Sequence, residues 1–295
     1  MTTEPTILMG VGATKAGTTW LYEYLASHPE CHVRSIKELH YFDAVENDTF
    51  AAQKRVQRGV ADKLRLRLLR EDGKPAKRAL RKLRDVMAWY GVLENRAASH
   101  ADYLAYLTAG REDIGLVADI TPSYALLPET RLSEMASVSS DVRMIYLLRD
   151  PVARLWSHVR MVGRRAARTA DAVPDTCYKL LDDVLDGATS GMTMRGDYAG
   201  TITRLKRAVD PSRLLVMFME EMMTGAGLGR LCTFLGIGAE KADFSRRVHA
   251  GPVLAMSDDQ TRRARALLRP QYEFVARHYP DLPANWRRNM GEGTL

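Results

Sequence analysis

With 295 residues, 46% hydrophobic and 27% charged, the chain has the size and balance of a folded protein of one domain plus an insertion. Its three cysteines, Cys31, Cys177 and Cys232, are odd in number and widely spaced, which argues against a disulfide framework or a cysteine-based zinc site and for a reducing compartment. The net charge of +7 is local: residues 54–84 hold thirteen Lys or Arg against three Asp or Glu, so the rest of the chain nets −3 and no nucleic-acid partner is expected.

No stretch approaches the roughly 18 apolar residues of a membrane span. Glu4 and Pro5 stand where a signal peptide would carry cations, so the expectation is a cytoplasmic chain, at most peripheral at a membrane. The apolar run Thr6–Met9 reads as a strand entering the glycine loop Gly10–Gly17, after which a helix opens near Thr18. Gly12 and Gly17 keep the glycine spacing of a phosphate-cradling loop. A nucleotide triphosphatase would place lysine directly after Gly17; here that position is Thr18, and the lysine lies inside the loop as Lys15. Glycines let backbone N–H groups approach an anion, and the first helical turn adds unpaired N–H groups and a positive dipole end. Thr18 and Thr19 add hydroxyls. A plain strand-to-helix turn is the blander reading, but strand, loop, lysine and paired threonines in this order favour an anion site.

His28-Pro29 ends the first helix, and an extended stretch follows around Cys31–Val33. Ser35–Asp43 is a dense mix of ionisable and aromatic residues. Residues 50–108 read as a mostly helical insertion. Val56, Val60, Leu64 and Leu68 form a stripe at spacing four, Gly73-Lys74-Pro75 breaks it, and Leu80, Leu83 and Met87 mark a second helix. Its cations suit, in this order, a solvated helical face, an anionic membrane surface or a groove for an acidic polymer.

Ile114–Asp119 reads as the next strand, followed by Thr121-Pro122-Ser123-Tyr124. Val142–Leu148 is a clearer strand that ends at Arg149-Asp150-Pro151, and a helix runs from about Val152 to Met161. Arg149, at a strand end beside a helix start, is well placed to clamp a second phosphate, with Ser157 two turns along to assist. The plainer alternative is an Arg149–Asp150 ion pair and a surface serine. Leu214–Met219 is a further apolar run, and Asp258–Tyr279 a C-terminal helix. Alternating strands and helices predict an α/β, doubly wound, mainly parallel sheet, with ligands at the carboxyl ends of strands. Lys15 and Arg149 both fall there. Arg195-Gly196-Asp197-Tyr198 is either a plain turn or part of the site.

Together these segments resemble the sulfotransferases that use 3′-phosphoadenosine 5′-phosphosulfate (PAPS). Gly12–Thr19 matches their 5′-phosphosulfate loop and Leu148–Ser157 their 3′-phosphate motif. Lys37–Asp43 resembles the catalytic segment of the heparan-sulfate-type branch, and Thr121–Tyr124 a further family element. The resemblance spans roughly residues 7–220, with the basic segment inserted, in a single domain over 1–295. It implies a P-loop-like fold and donor binding by Lys15, Ala16, Gly17, Thr18, Thr19 and Trp20. It further implies that Arg149 and Ser157 hold the 3′-phosphate, Glu38 is the general base, and His40 orients or hydrogen-bonds. Burial among Leu39, Tyr41 and Phe42 is expected to raise the Glu38 pKa. PAP is the implied product, no metal is required, and the acceptor is a glycan, lipid or small molecule. Two departures stand out: Ile120 stands where the family commonly has a lysine before the Thr-Pro element, and the nucleotide-closing loop is not evident, Arg246, Arg247 and Gly251 lying in about its region without aligning to it. The rivals are a P-loop kinase and a non-catalytic anion-binding adaptor at a membrane surface.

Overall fold

Five short strands form the centre of the computed structural model, which describes residues 4–95, 100–110, 114–245 and 254–291. They are β1 (Thr6–Gly12), β2 (Cys31–Val33), β3 (Leu116–Ile120), β4 (Val142–Leu148) and β5 (Leu214–Phe218). Every pairing is parallel, in the order β2-β3-β1-β4-β5. β3 is buried along its whole length and β4 nearly so. Strands covered on both faces read as near-continuous apolar runs, here interrupted only by Asp119 in β3 and Arg143 in β4, which is why both were visible in the sequence. From β1 the chain builds β2 and β3 on one side and β4 and β5 on the other. The crevice at the carboxyl end of β1 therefore lies where the winding reverses, the usual ligand position in such sheets.

The helices, in chain order, are α1 (Thr18–Ser27), α2 (Tyr41–Asn47), α3 (Phe50–Leu68), α4 (Gly73–Glu94), α5 (Ala101–Thr108), α6 (Glu129–Ala136) and α7 (Pro151–Ala166). After them come α8 (Val173–Leu185), α9 (Gly191–Met194), α10 (Tyr198–Ala208), α11 (Met219–Met222), α12 (Gly225–Leu235), α13 (Asp258–His278) and α14 (Ala284–Met290). Thr121-Pro122-Ser123-Tyr124 leads into a 3₁₀ turn, Pro122–Leu126. One contiguous cluster of buried side chains runs from Ile7 to Trp286. A second, small cluster of Ala61, Leu64, Ala79 and Val86 lies inside the α3–α4 hairpin.

Three details of the sequence reading are corrected, two of them in this hairpin. Its break is at residues 69–72; Gly73-Lys74-Pro75 instead opens α4, because proline is tolerated in a first helical turn, where its missing N–H leaves no bond unmade. Val56 points to solvent, since the small Ala61 and Ala79, rather than a pure Val/Leu stripe, make the close α3–α4 contact. α7 begins at Pro151 and continues past Met161 to Ala166. Among the described residues no helix is long and apolar enough to cross a membrane.

Candidate functional site

The loop after β1 is shaped by two glycines. Gly12 has φ 152°, and a Cβ there would come 2.8 Å from the Tyr146 ring. Gly17 has φ 90° and a Cβ there would meet Met219 at 2.8 Å. Both positions thus combine a left-handed backbone with close approach, which excludes side chains. Gly17 is the N-cap of α1 and uses no side-chain cap, so the first N–H groups of α1 have no intrahelical acceptor. Ala16, Thr18 and Trp20 are buried around this turn, and Thr19 is half-buried. Trp20 lies near-parallel to Tyr24 and Phe244, with centroids at 5.6 and 5.9 Å, and donates to the Asp243 carbonyl at 3.3 Å.

Lys15 is the centre of a cationic cluster. Burial, and then the neighbouring Arg149, Arg164, Arg165 and Lys37, hold its pKa below the ordinary lysine value. The Arg149 guanidinium donates to the Lys15 carbonyl at 3.0 Å. So the end of β4 grips the loop after β1. The Arg149 pKa is lowered chiefly by burial, partly offset by Glu220. Asp150 is not its ion-pair partner: Asp150 is fully buried and caps α7, accepting from the Ala153 N–H at 2.8 Å, from Tyr272 Oη at 2.7 Å and from Asn289 at 3.0 Å. Ser157 sits one turn before Met161 on the same face of α7. Met161 Sδ is 3.8 Å from Lys15 Nζ, so this face of α7 looks back at the loop.

A further cation and a neutral imidazole line α7 where sequence reasoning found no signal. Arg154 is 1% exposed; its Nη2 donates to the Met192 carbonyl, while Nη1 has no partner. His158, one turn on, is buried with Nδ1 unpartnered, and its pKa is depressed to about 4 by burial and by Arg154, Arg195, Lys15 and Arg165. The Arg195–Tyr198 element is more than a turn. Gly196 packs directly on the Arg154 guanidinium, and Tyr198 Oη donates to the Arg149 carbonyl at 2.5 Å and accepts its N–H at 3.2 Å.

The segment before α2 supplies the carboxylate and imidazole. Glu38 and His40 both have left-handed backbones, φ 66° and 56°, a conformation that non-glycine residues adopt at a cost and that clusters at functional sites. Glu38 pairs with Lys37, and its Oε2 is 3.8 Å from His40 Nε2. The expected burial of Glu38 is not observed: its side chain is 41% exposed, because the left-handed turn aims it away from the core that takes Leu39, Tyr41 and Phe42. His40 Nδ1 hydrogen-bonds Asp43 at 2.8 Å, and Ser123 Oγ donates to the same Asp43 oxygen at 2.7 Å. Burial lowers the His40 pKa, but the bond to Asp43 and the charges of Asp43, Glu38 and Asp119 outweigh it and raise the net value. The complementary pairing with His40 and Ser123 lowers the Asp43 pKa against the effect of burial. Asp43 and Ser123 were therefore missed as functional positions, although both lie in segments the sequence singled out.

The matching model is that of the sulfotransferase family, and it covers residues 6–241. The chain belongs to the sulfotransferase family. No curated protein matches it. Among solved structures, it is similar to a sulfotransferase from Alicyclobacillus acidocaldarius, with a TM-score of 0.61 and 18% identity over 97% of this chain and 100% of that one. It is also similar to the sulfotransferase domain of the Synechococcus PCC 7002 olefin synthase (TM-score 0.41, 17% identity, 90% and 94% covered). A third similarity is to the sulfotransferase domain of the curacin biosynthetic pathway (0.40, 19%, 83% and 82%). The first of these supports the P-loop-like α/β fold.

Within that family fold, the departures noted in the sequence have a physical form. Ile120 is buried against Gly10, so no cation reaches the site from this position. Asp119, at the end of β3, is 1% exposed and accepts from Thr121 Oγ1, Tyr124 Oη and Tyr103 Oη at 2.6, 2.8 and 3.1 Å. The same Tyr124 hydroxyl accepts the Tyr41 N–H at 3.0 Å, so Asp119 anchors the start of α2 from below. Arg246, Arg247 and Gly251 lie outside the described residues.

Proposed function

We propose that this sulfotransferase takes its sulfuryl group from PAPS and transfers it, by in-line displacement, to a hydroxyl or amine of an acceptor. One observation carries the reading: the Arg149 guanidinium at the end of β4 donates to the Lys15 carbonyl at 3.0 Å, which brings the two cations together at the carboxyl end of β1, where Arg149, Arg164, Arg165 and Lys37 add to burial in lowering the Lys15 pKa. Repulsion among them is relieved by a multiply charged anion. The residues fit such a group. Arg154 carries a buried guanidinium nitrogen without a partner beside this cluster, and a donor of that kind awaits an acceptor.

PAPS, when bound, supplies the sulfuryl group and a 3′-phosphate. Gly17, Thr18, Thr19 and the first turn of α1 would hold the 5′-phosphate, with Ala16 and Trp20 packing the loop. Arg149 and Ser157 would hold the 3′-phosphate. Glu38 would take the acceptor's proton onto a carboxylate oxygen as the acceptor oxygen or nitrogen bonds to sulfur; exposure leaves Glu38 within reach of an incoming acceptor. Lys15 would neutralise the charge gained by the 5′-phosphate oxygen as it leaves sulfur. His40, held by Asp43, would orient Glu38 across the 3.8 Å between them. We place the chain nearest the heparan-sulfate-type branch on the strength of Lys37–Asp43. We also read it as one functional unit with the helical hairpin inserted, since its main core spans Ile7 to Trp286.

The test compares calorimetric binding of adenosine 3′,5′-bisphosphate with that of ATP–magnesium, followed by mass spectrometry for an added sulfonate after incubation with labelled PAPS and candidate acceptors. Preferential binding of the bisphosphate and a mass gain on an acceptor are expected. Preference for ATP–magnesium would favour the kinase reading, and bisphosphate binding without any sulfonated product would favour the adaptor.

A further inference from the structure

The α3–α4 hairpin presents a surface that the transfer chemistry does not use. Nine large hydrophobic side chains are exposed among the described residues, and five of them, Val56, Leu66, Leu69, Leu80 and Met87, lie on this one hairpin. Leu69, in the turn between the two helices, is 82% exposed and Leu66 is 53% exposed. Residues 54–84 carry thirteen cations and three anions. Two of the anions are engaged within the hairpin, Asp62 with Arg65 and Glu71 with Arg67. Among the described residues Arg70, Lys74, Lys77, Arg78, Arg81 and Lys82, close to the turn, have no carboxylate partner.

The contacts define one face. Arg58 reaches Tyr90 Oη at 2.8 Å and Arg65 reaches Met87 Sδ at 3.8 Å, so these residues of α3 and α4 lie side by side. Leu66 and Leu69 lie in the last turn of α3 and in the connection itself, and Leu80 stands about 10 Å along α4 from that connection, at 1.5 Å per helical residue. The end of the hairpin is thus an aliphatic tip ringed by unpaired cations.

We propose that this tip docks onto the surface of a bilayer containing anionic lipids. Charge complementarity selects an anionic partner, and the aliphatic tip selects a lipid over a soluble acidic polymer, which offers nothing to bury Leu66 and Leu69. The joint to the rest of the protein is firm. Asp85 on α4 accepts from Ser35 N–H at 2.7 Å, Ser35 Oγ at 2.6 Å and Tyr106 Oη at 3.0 Å, and pairs with Arg34 at 2.5 Å. Ile36 packs into the hairpin's own core. The membrane contact is therefore held in a fixed relation to Lys37 and Glu38, the next residues along the chain. The turn stands about 18 Å along α4 from Asp85, at 1.5 Å per helical residue. Resting on the sulfotransfer reading above, this arrangement points to an amphiphilic acceptor presented by the bilayer.

The test is sedimentation with phosphatidylcholine vesicles, with and without phosphatidylserine, at low and high salt. Soluble heparin serves as the competing polyanion, and bisphosphate binding is measured separately as a control on the donor site. Wild-type protein is expected to bind only the phosphatidylserine vesicles and to release them at high salt. Leu69→Glu is expected to weaken that binding about tenfold or more while leaving bisphosphate affinity unchanged. Arg78→Glu/Arg81→Glu should do the same through charge. No sedimentation with anionic vesicles at low salt overturns the proposal. So does vesicle binding that Leu69→Glu leaves unaltered, or heparin binding that persists where vesicle binding is absent; the last would assign the surface to an acidic polymer. Because donor binding is read on its own, a failure here leaves the sulfotransfer reading standing, and the reverse.

Discussion

The guanidinium of Arg149 donates a hydrogen bond to the backbone carbonyl of Lys15 at 3.0 Å, across 134 residues of chain. Each residue follows the end of a strand, and β1 and β4 are neighbours in the sheet, so strand pairing alone delivers them to one another. Tyr198 clamps the Arg149 backbone from the other side. The arginine is thus fixed at its base while its remaining N–H groups stay available. Loss of the guanidinium in Arg149→Ala should weaken adenosine 3′,5′-bisphosphate binding by ~10- to 100-fold, the worth of a charge-assisted hydrogen bond. Adenosine 5′-phosphate, which lacks the 3′-group, should lose less. Equal losses for both ligands in calorimetry would remove Arg149 from the 3′-phosphate.

Lys15→Ala and Glu38→Gln separate donor from acceptor chemistry. Lys15→Ala should cut turnover by about 10²- to 10³-fold, through loss of charge stabilisation at the leaving oxygen. It should also alter donor affinity, since Lys15 faces the loop. Glu38→Gln should cut turnover by roughly 10²- to 10⁴-fold with bisphosphate affinity unchanged. An active Glu38→Gln enzyme, in a sulfonate-transfer assay, would strip Glu38 of its role as base.

His40 and Asp43 predict a pH effect with a definite sign. The folded His40 pKa is raised above its unfolded value, so its contribution to stability is full below about pH 6.5 and is lost as pH rises through the folded pKa. The Asp43 pKa is lowered, so its contribution is present above about pH 4 and is lost as pH falls through the folded pKa. Asp43→Asn removes the carboxylate charge beside His40 Nδ1. Its expected outcome is a lower His40 pKa by NMR titration and a flatter dependence of stability on pH. A His40 titration that does not move would show that Asp43 leaves its charge state alone.

His158 works in the opposite sense. Its pKa is depressed to about 4, so the fold loses stability as pH falls from the unfolded value toward that point. The full loss is roughly 3 kcal/mol at 1.36 kcal/mol per unit. His158→Gln should abolish that part of the acid sensitivity in urea titrations. A bound polyanion beside Arg154 and Lys15 favours the charged imidazole, so bisphosphate should protect the wild type more at pH 5 than at pH 7. Protection independent of pH would place the anion away from His158.

The sheet was legible because parallel strands buried on both faces are written as mostly apolar runs, and the Lys15 loop because its glycines stand at fixed spacing. Arg149 at the strand end was visible for the same reason. What escaped depends on contacts between remote positions. Asp85 secures Ser35 across 50 residues, and Tyr198 clamps Arg149 across 49. Neither pairing has a local signature. Glu38 shows a different limit. Its neighbours predicted burial, yet a left-handed turn at Glu38 and again at His40 reverses which side chains face inward, and hydrophobic neighbours do not report backbone handedness. The Asp85 joint carries its own prediction. Asp85→Ala strands Arg34, Ser35 and Tyr106 together, and should cost about 2–4 kcal/mol by urea unfolding, as removing one partner of a largely buried charge network does.

Gly17 ties the loop's shape to its function and gives the most demanding test. The residue has φ 90°, and a Cβ there would lie 2.8 Å from Met219 Cγ. Gly17→Ala therefore meets two obstacles, a left-handed backbone costing about 1–2 kcal/mol for a non-glycine residue and a clash with α11. Truncating the neighbour in Gly17→Ala/Met219→Ala removes the clash and leaves the backbone strain. If the strain reshapes the anion loop, the double variant should recover part of its stability in urea titrations but little of its bisphosphate affinity. If crowding by Met219 is the whole difficulty, both recover together relative to Met219→Ala alone, and the left-handed turn at Gly17 is then not what forms the anion cradle.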